Sequence, residues 1–186
     1  MKPLMLGFML VQGVQFLQAQ DAPYLRTGSV EVGGFGGWSY GADSWRGMGG
    51  ANVSVAANKW LLPYGEFTYF PGIRRVVPQT TIRYDVPFYD IHGGLHLRAR
   101  IPETSLAPYA VIGFGMIRSN FRGRRLSDQT PIEFRDTDPA VNFGGGLRYY
   151  TRYNFGFRFE GKVYRPLRGQ FEQVFGKVLI GFFYQF

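Results

Sequence analysis

The sequence predicts an all-β protein, an eight-stranded antiparallel up-and-down β-barrel that spans a membrane. Three observations predict it: repeated stretches of alternating apolar and polar residues, a high content of glycine and aromatic residues, and connections that alternate between short and long. Glycine supplies 26 of the 186 residues and aromatic residues make up 18% of the chain, more than in an ordinary α/β domain. Tilted strands of about 9 to 11 residues are long enough to cross a bilayer.

The alternation is clearest in the final segment, residues 174–186. Every second residue counted back from Phe186 is apolar or glycine, whereas the other face includes Lys177 and Gln185. One face can therefore meet hydrocarbon while the other accepts charge. This ending resembles that of bacterial outer-membrane β-barrel proteins; an edge strand of a soluble β-sandwich is the alternative. The resemblance implies recognition by the outer-membrane assembly machinery through Val178, Ile180, Phe182, Tyr184 and Phe186.

Turn residues divide the chain into eight segments of this kind. An even number of strands closes an up-and-down barrel, and eight strands leave an interior that side chains fill. The predicted strands cover residues 29–40, 47–57, 62–70, 86–99, 108–119, 140–150, 154–165 and 174–186.

The connections between these strands differ in length in a regular way. Residues 58–61, 100–107 and 151–153 form short connections, and residues 71–85, 120–139 and 166–173 form longer ones, with 41–46 as the exception. When the chain of an outer-membrane barrel starts and ends on the same side of the membrane, its short turns face the periplasm and its long loops face outwards. Residues 135–138 (Arg-Asp-Thr-Asp) fall in the predicted third outer loop, as a segment that folds on a partner or as a flexible tip.

The hairpin over residues 141–164 carries a second resemblance. Its two alternating strands, VNFGGGLRYY and NFGFRFEGKVY, flank a short turn, and Pro108-Tyr109 opens an earlier strand containing Gly113-Phe-Gly115. These segments resemble the small OmpA-like and OmpX-like outer-membrane barrels. The resemblance implies an outer-membrane barrel of porin-like architecture in the cell envelope of a Gram-negative bacterium.

The first residues of the chain predict export. Lys2 precedes a mostly apolar run that ends at Leu17, and Ala19 precedes turn-forming residues, an arrangement typical of a secretory signal peptide. An ordinary N-terminal helix is the alternative. We expect a signal peptide over residues 1–19, a periplasmic segment over 20–27 and an outer-membrane barrel over 28–186.

Charged residues fall on the predicted inner faces of the strands. Because unpaired charges sealed from water are costly, we expect a hydrogen-bonded network of ion pairs, with a narrow ion channel as the alternative. Both faces of the strand over 108–119 are apolar, so its orientation stays open. The predicted lumen residues are Glu31, Glu66, His92, His96, Arg98, Arg148, Arg158, Glu160, Lys162 and Lys177.

Candidate catalytic, metal and cofactor residues do not form a recognisable site. His92 and His96 are four residues apart, with no His-x-Ser arrangement and no third ligand in a metal-binding spacing. The absence of cysteine excludes thiolate metal sites and cysteine nucleophiles. We therefore expect a non-enzymatic protein with no cofactor. The alternatives are a lipid-modifying barrel enzyme and a secreted lipocalin-like barrel, which would have an apolar interior.

The chain is basic, with a formal net charge of +8, and arginines are concentrated in the predicted outer loops. Guanidinium groups suit phosphate, so we expect contacts with outer-membrane lipid, including lipopolysaccharide, rather than with nucleic acid. Ordinary solvated loop charge is the alternative. The outer loops are also expected to serve structural or surface-interaction roles, with a surface ligand left open. The candidate lipid-phosphate contacts are Arg74, Arg75, Arg83, Arg122, Arg124 and Arg125.

Overall fold

The computed structural model describes residues 25–41, 44–71, 75–76, 82–85, 87–125, 131–151, 153–167 and 174–186. Among these residues, no helix is long and apolar enough to cross a membrane. The strands in these ranges are β1 (Val30–Gly41), β2 (Ser44–Val55), β3 (Leu61–Phe70), β4 (Arg75–Val76), β5 (Ile82–Asp85), β6 (Phe88–Arg98), β7 (Leu106–Arg125), β8 (Pro131–Tyr150), β9 (Phe155–Pro166) and β10 (Phe175–Gln185). The predicted signal peptide lies outside the described residues.

Eight of these strands close into a barrel. Each pairs antiparallel with the next in the order β1, β2, β3, β6, β7, β8, β9 and β10, and β10 pairs back with β1. The pairing of β1 with β10, which closes the barrel, extends from Glu31 opposite Gln185 to Tyr40 opposite Gly176. The backbone of every barrel strand thus has partners on both sides, as strands inside hydrocarbon require. The predicted fold class is confirmed.

The prediction of a loop over residues 120–139 is wrong. β7 and β8 stay paired from Leu106 opposite Tyr149 as far as Arg124 opposite Pro131. Residues 135–138, predicted to lie in a loop, are therefore part of strand β8. Backbone pairing between two strands does not require an apolar outward row, so the arginines that interrupt the apolar row do not end these strands.

The predicted loop over residues 71–85 also contains strands. β4 and β5 form a short hairpin, and β5 pairs with β7 from Ile82 opposite Arg125 to Asp85 opposite Arg122. Together with residues 121–125 of β7 and 131–134 of β8, they extend the barrel wall on the side of the longer connections. We call this extension the outer sheet.

The first outer connection is tighter than predicted. β1 and β2 pair as far as Gly41 opposite Ser44, so residues 42 and 43 alone join them. The outer side of the barrel is consequently uneven, with a short connection at one point of its circumference and a long hairpin at another.

Inward-facing glycine makes room for large lumen side chains. A side chain on Gly156 would overlap the ring of Phe183 on the neighbouring strand β10. Phe183 is 1% exposed, so glycine at this position lets a complete phenyl ring fit inside a narrow barrel.

Candidate functional site

The outer face of the barrel is apolar on every barrel strand. On β7, whose faces the sequence left open, Ile112 and Phe114 are exposed while Tyr109 and Val111 point inwards. A continuous apolar surface of this kind is rare on soluble monomers. Its members include Val32, Val53, Phe67, Ile91, Ile112, Phe114, Phe143, Phe157, Ile180 and Phe182.

Aromatic side chains lie at both ends of this apolar surface. At the end with the longer connections, the rings of Tyr40 and Trp45 are 5.2 Å apart. At the opposite end, the rings of Tyr184 and Phe186 are 4.8 Å apart. Two aromatic girdles on either side of an apolar band are typical of barrels that cross a bilayer.

Four of the five residues expected to form an assembly signal lie on the outward face of β10, the strand that closes the barrel, and the fifth, Phe186, directly follows it. Tyr184 is opposite Val32 of β1 and is partly buried. Val178, Ile180, Phe182 and Phe186 are exposed.

The lumen contains all ten of the charged and histidine residues placed there from sequence. None of them is more than 3% exposed. Asp90, which sequence reasoning missed, is also inside and 0% exposed. It shares one face of β6 with His92 and His96, so the same alternation predicts it.

Glu66 is the acceptor for three lumen cations. Its Oε1 atom is 3.1 Å from Lys162 Nζ and 2.8 Å from Lys177 Nζ, and its Oε2 atom is 3.1 Å from Arg158 Nη2. Lys177 also donates to Thr68 Oγ1 at 2.7 Å and lies 3.4 Å from Asp90 Oδ2. The contacts of Glu66 and Lys177 thus join four strands across the lumen, namely β3, β6, β9 and β10.

Glu160 shares two of these cations. Its Oε1 atom lies 2.8 Å from Lys162 Nζ, and its Oε2 atom lies 3.6 Å from Arg158 Nη1. The hydroxyl of Tyr109 donates to Oε2 at 2.5 Å, and His96 Nε2 is 3.7 Å from the same oxygen. Glu160 therefore connects the Glu66 group to His96.

A third group surrounds Glu31 near the short turns. Arg148 donates to Glu31 Oε2, and Arg98 Nη1 lies 3.3 Å from Oε1. Arg98 Nε also donates to the carbonyl of Lys59 at 2.9 Å, which ties the network to the turn between β2 and β3. Arg148 Nη2 donates to His96 Nδ1 at 2.7 Å, so all three groups form one network.

The lumen network is nearly balanced in charge. The network itself comprises four carboxylates, Glu31, Glu66, Asp90 and Glu160, and five cations, Arg98, Arg148, Arg158, Lys162 and Lys177; the buried carboxylate of Asp138 is not part of it. With both histidines counted as neutral the sum is 5 − 4 = +1. His92 Nδ1 is bonded to Asp90 Oδ1. Pairing therefore offsets part of the cost of burying these charges.

Apolar clusters cover the network at both ends. On the outer side, Phe70 and Phe88 stack with ring centroids 4.0 Å apart, in a cluster that also contains Phe35, Met48, Leu179 and Phe175. On the side of the termini, the cluster consists of Leu25, Ala107, Tyr150 and Phe183. The charged section of the lumen therefore lies between two apolar clusters.

The side chains of all six candidate lipid-phosphate arginines lie outside the described part of the structure. Arg74 is outside the described residues. The backbone places Arg83 opposite Arg124 and Arg75 opposite Tyr84, and Arg122 and Arg125 lie in the same outer sheet. Five of the six arginines thus belong to one small sheet, although sequence assigned them to two separate loops.

No metal site is formed by the described residues. None of their histidine, aspartate and glutamate side chains forms a group of three or more placed to hold a metal ion. His96, Glu160 and Tyr109 lie together in the lumen, but none of them is more than 5% exposed. These three side chains, which are of types suited to proton transfer, are therefore buried within the described part of the barrel.

Comparison with known proteins supports the same architecture. No protein-family model and no curated protein matches the chain. A major outer membrane protein from Thermus thermophilus superposes with a TM-score of 0.67 at 8% identity, over 87% of this chain and 100% of that chain. Neisserial surface protein A (NspA) gives a TM-score of 0.60 at 12% identity, over 85% of this chain and 96% of that chain.

Ail, the attachment invasion locus protein of Yersinia pestis, was solved in complex with the heparin analogue sucrose octasulfate. It gives a TM-score of 0.57 at 17% identity, over 87% of this chain and 100% of that chain. This chain has the fold of the small eight-stranded outer-membrane β-barrels. At these identities the likeness concerns the fold, so the lumen and the outer sheet must be interpreted from their own residues.

Proposed function

We propose that this chain is a non-enzymatic protein of the bacterial outer membrane whose barrel is closed to ions by its own side chains. The observation that carries the proposal is the paired network around Glu31, Glu66 and Glu160 between two apolar clusters. An ion that entered would have to displace side chains of both apolar clusters and compete with ion pairs that are already formed. A conducting lumen is therefore the less favoured alternative.

The outer surface supports a location in the membrane. Its apolar band between aromatic girdles matches a bilayer, whereas a secreted lipocalin-like barrel would carry polar residues there and apolar residues inside. We propose that residues 1–19 direct export and that the outward face of β10 is recognised by the outer-membrane assembly machinery.

The outer sheet is proposed to be the surface-interaction element. It extends β7 and β8 beyond the barrel, and arginines occupy five of its backbone positions. Guanidinium groups bind phosphate and sulfate well, and Ail, which shares the fold, was solved with a sulfated sugar. We propose that anionic groups, including those of lipopolysaccharide, contact this sheet through Arg74, Arg75, Arg83, Arg122, Arg124 and Arg125.

Cell fractionation tests the membrane assignment. We expect the protein in the outer-membrane fraction, and we expect unheated samples to migrate differently from boiled samples in gel electrophoresis, because a closed barrel resists detergent until it is heated. A variant without residues 1–19 is the matched control and should remain in the cytoplasm. Recovery of the full chain as a soluble periplasmic protein would contradict the proposal.

A further inference from the structure

A groove of about 480 Å³ lies on the outer wall of the barrel, at the level where the apolar band ends. Its floor is formed by Phe67, Tyr89, Ile91 and Met116, and Arg118 and Arg135 line its polar end. The lining residues come from β3, β6, β7 and β8, on the side from which the outer sheet extends.

The register of the strands explains the order of these residues. Ile91 is opposite Met116. Two residues further along each strand, towards the outer sheet, Tyr89 is opposite Arg118. The rings of Phe67 and Tyr89 stack with centroids 6.1 Å apart and form an aromatic wall. Because outward residues alternate along a strand, the groove changes from apolar to cationic between Met116 and Arg118 of β7.

The two arginines are placed to act together. Arg118 is opposite Thr137 and Arg135 is opposite Asn120, so they are diagonal neighbours, about 7 to 8 Å apart on adjacent strands and within reach of long side chains. Both are exposed. Neither guanidinium forms a hydrogen bond or an ion pair with another described residue.

Nearby acidic residues do not neutralise the pair. Asp136 and Asp138 alternate with Arg135 along β8 and therefore belong to the opposite face of the strand, and Asp138 is 7% exposed. Glu133 shares the face of Arg135 but lies two residues further out. The polar end of the groove is therefore locally positive.

We propose that this groove binds an anionic phosphate-bearing lipid, with an acyl chain along the apolar floor and the phosphate between Arg118 and Arg135. The inference rests on the proposed membrane location, since the floor is continuous with the surface that faces hydrocarbon. Two guanidinium groups can hold one phosphate by charge-assisted hydrogen bonds. A free phosphate would use only the cationic end and leave the apolar floor uncovered.

Lipid retention by the folded barrel tests this assignment. The full-length mature protein is reconstituted into nanodiscs of dimyristoylphosphatidylcholine with a small fraction of dimyristoylphosphatidic acid, then released and analysed by native mass spectrometry. We expect the wild-type barrel to retain phosphatidic acid in preference to phosphatidylcholine. The double variant Arg118→Gln, Arg135→Gln should retain it at least about fivefold less, as expected for the loss of charge-assisted contacts.

Arg165→Gln is the matched control, because Arg165 is an exposed arginine on β9 outside the groove. It should retain the lipid like the wild type, and millimolar inorganic phosphate should not displace the lipid. Equal retention by the double variant, an equal loss in Arg165→Gln, or displacement by free phosphate would each overturn the lipid site. Failure of the wild type to insert as a heat-modifiable barrel would instead overturn the proposed membrane location.

Discussion

Replacement of Glu66 by glutamine is expected to lower the free energy of unfolding by about 3 to 5 kcal/mol, the usual cost of removing one partner from a buried ion pair. Glu66 is 3% exposed and pairs with Arg158, Lys162 and Lys177. Glutamine has nearly the same shape, so the change removes charge rather than volume. Asp90 and Glu160 are then the carboxylates left beside these three cations.

Urea unfolding in lipid vesicles, followed by the loss of the heat-modifiable form, measures this effect. Glu133→Gln is the matched control, because Glu133 is an exposed carboxylate on β8, and its effect should stay within about 0.5 kcal/mol. A Glu66→Gln barrel as stable as the wild type would show that the lumen cations do not depend on this carboxylate.

Ile180→Arg is expected to destabilise the barrel in a bilayer by about 2 to 4 kcal/mol, the usual penalty for arginine near the midplane on lipid-facing positions. Ile180 lies midway along β10 and is 60% exposed. In the proposed orientation it faces hydrocarbon, so a guanidinium at this position has no partner and no water.

The same urea unfolding in vesicles, compared with Val174→Arg, isolates the effect of depth. Val174 is 55% exposed and belongs to the same outward row, but it lies just before β10 at the rim. Arginine there should cost about 0 to 1 kcal/mol. Equal costs at both positions would mean that this face does not meet a membrane.

The barrel itself follows from the sequence because each of its strands exposes an apolar outward face, as the proposed contact with hydrocarbon requires. That requirement makes residues such as Phe157 and Arg158 alternate. β7 lacked this signal, since Val111 on its inner face is as apolar as Ile112 on its outer face. The outer sheet was missed because its strands carry no apolar outward row, as the arginines at the end of β7 illustrate.

The lumen site was predictable in its composition but not in its pairings. The inward position of Glu66 and Lys177 follows from alternation along each strand, whereas their contact depends on how strands face each other across the closed barrel. These two residues are separated by 111 positions in the chain. The apolar clusters depend on the same cross-sectional geometry, because Phe70 and Phe175 belong to β3 and β10 and meet only inside the barrel.

Conductance across a planar lipid bilayer is the most direct test of the closed lumen. Purified, heat-modifiable barrel should insert without producing current steps above the background of the lipid alone, at either polarity of the applied voltage. Refolded Glu133→Gln protein prepared in parallel should behave in the same way. Reproducible current steps whose frequency rises with the amount of folded wild-type protein would contradict a lumen sealed by its ion-pair network.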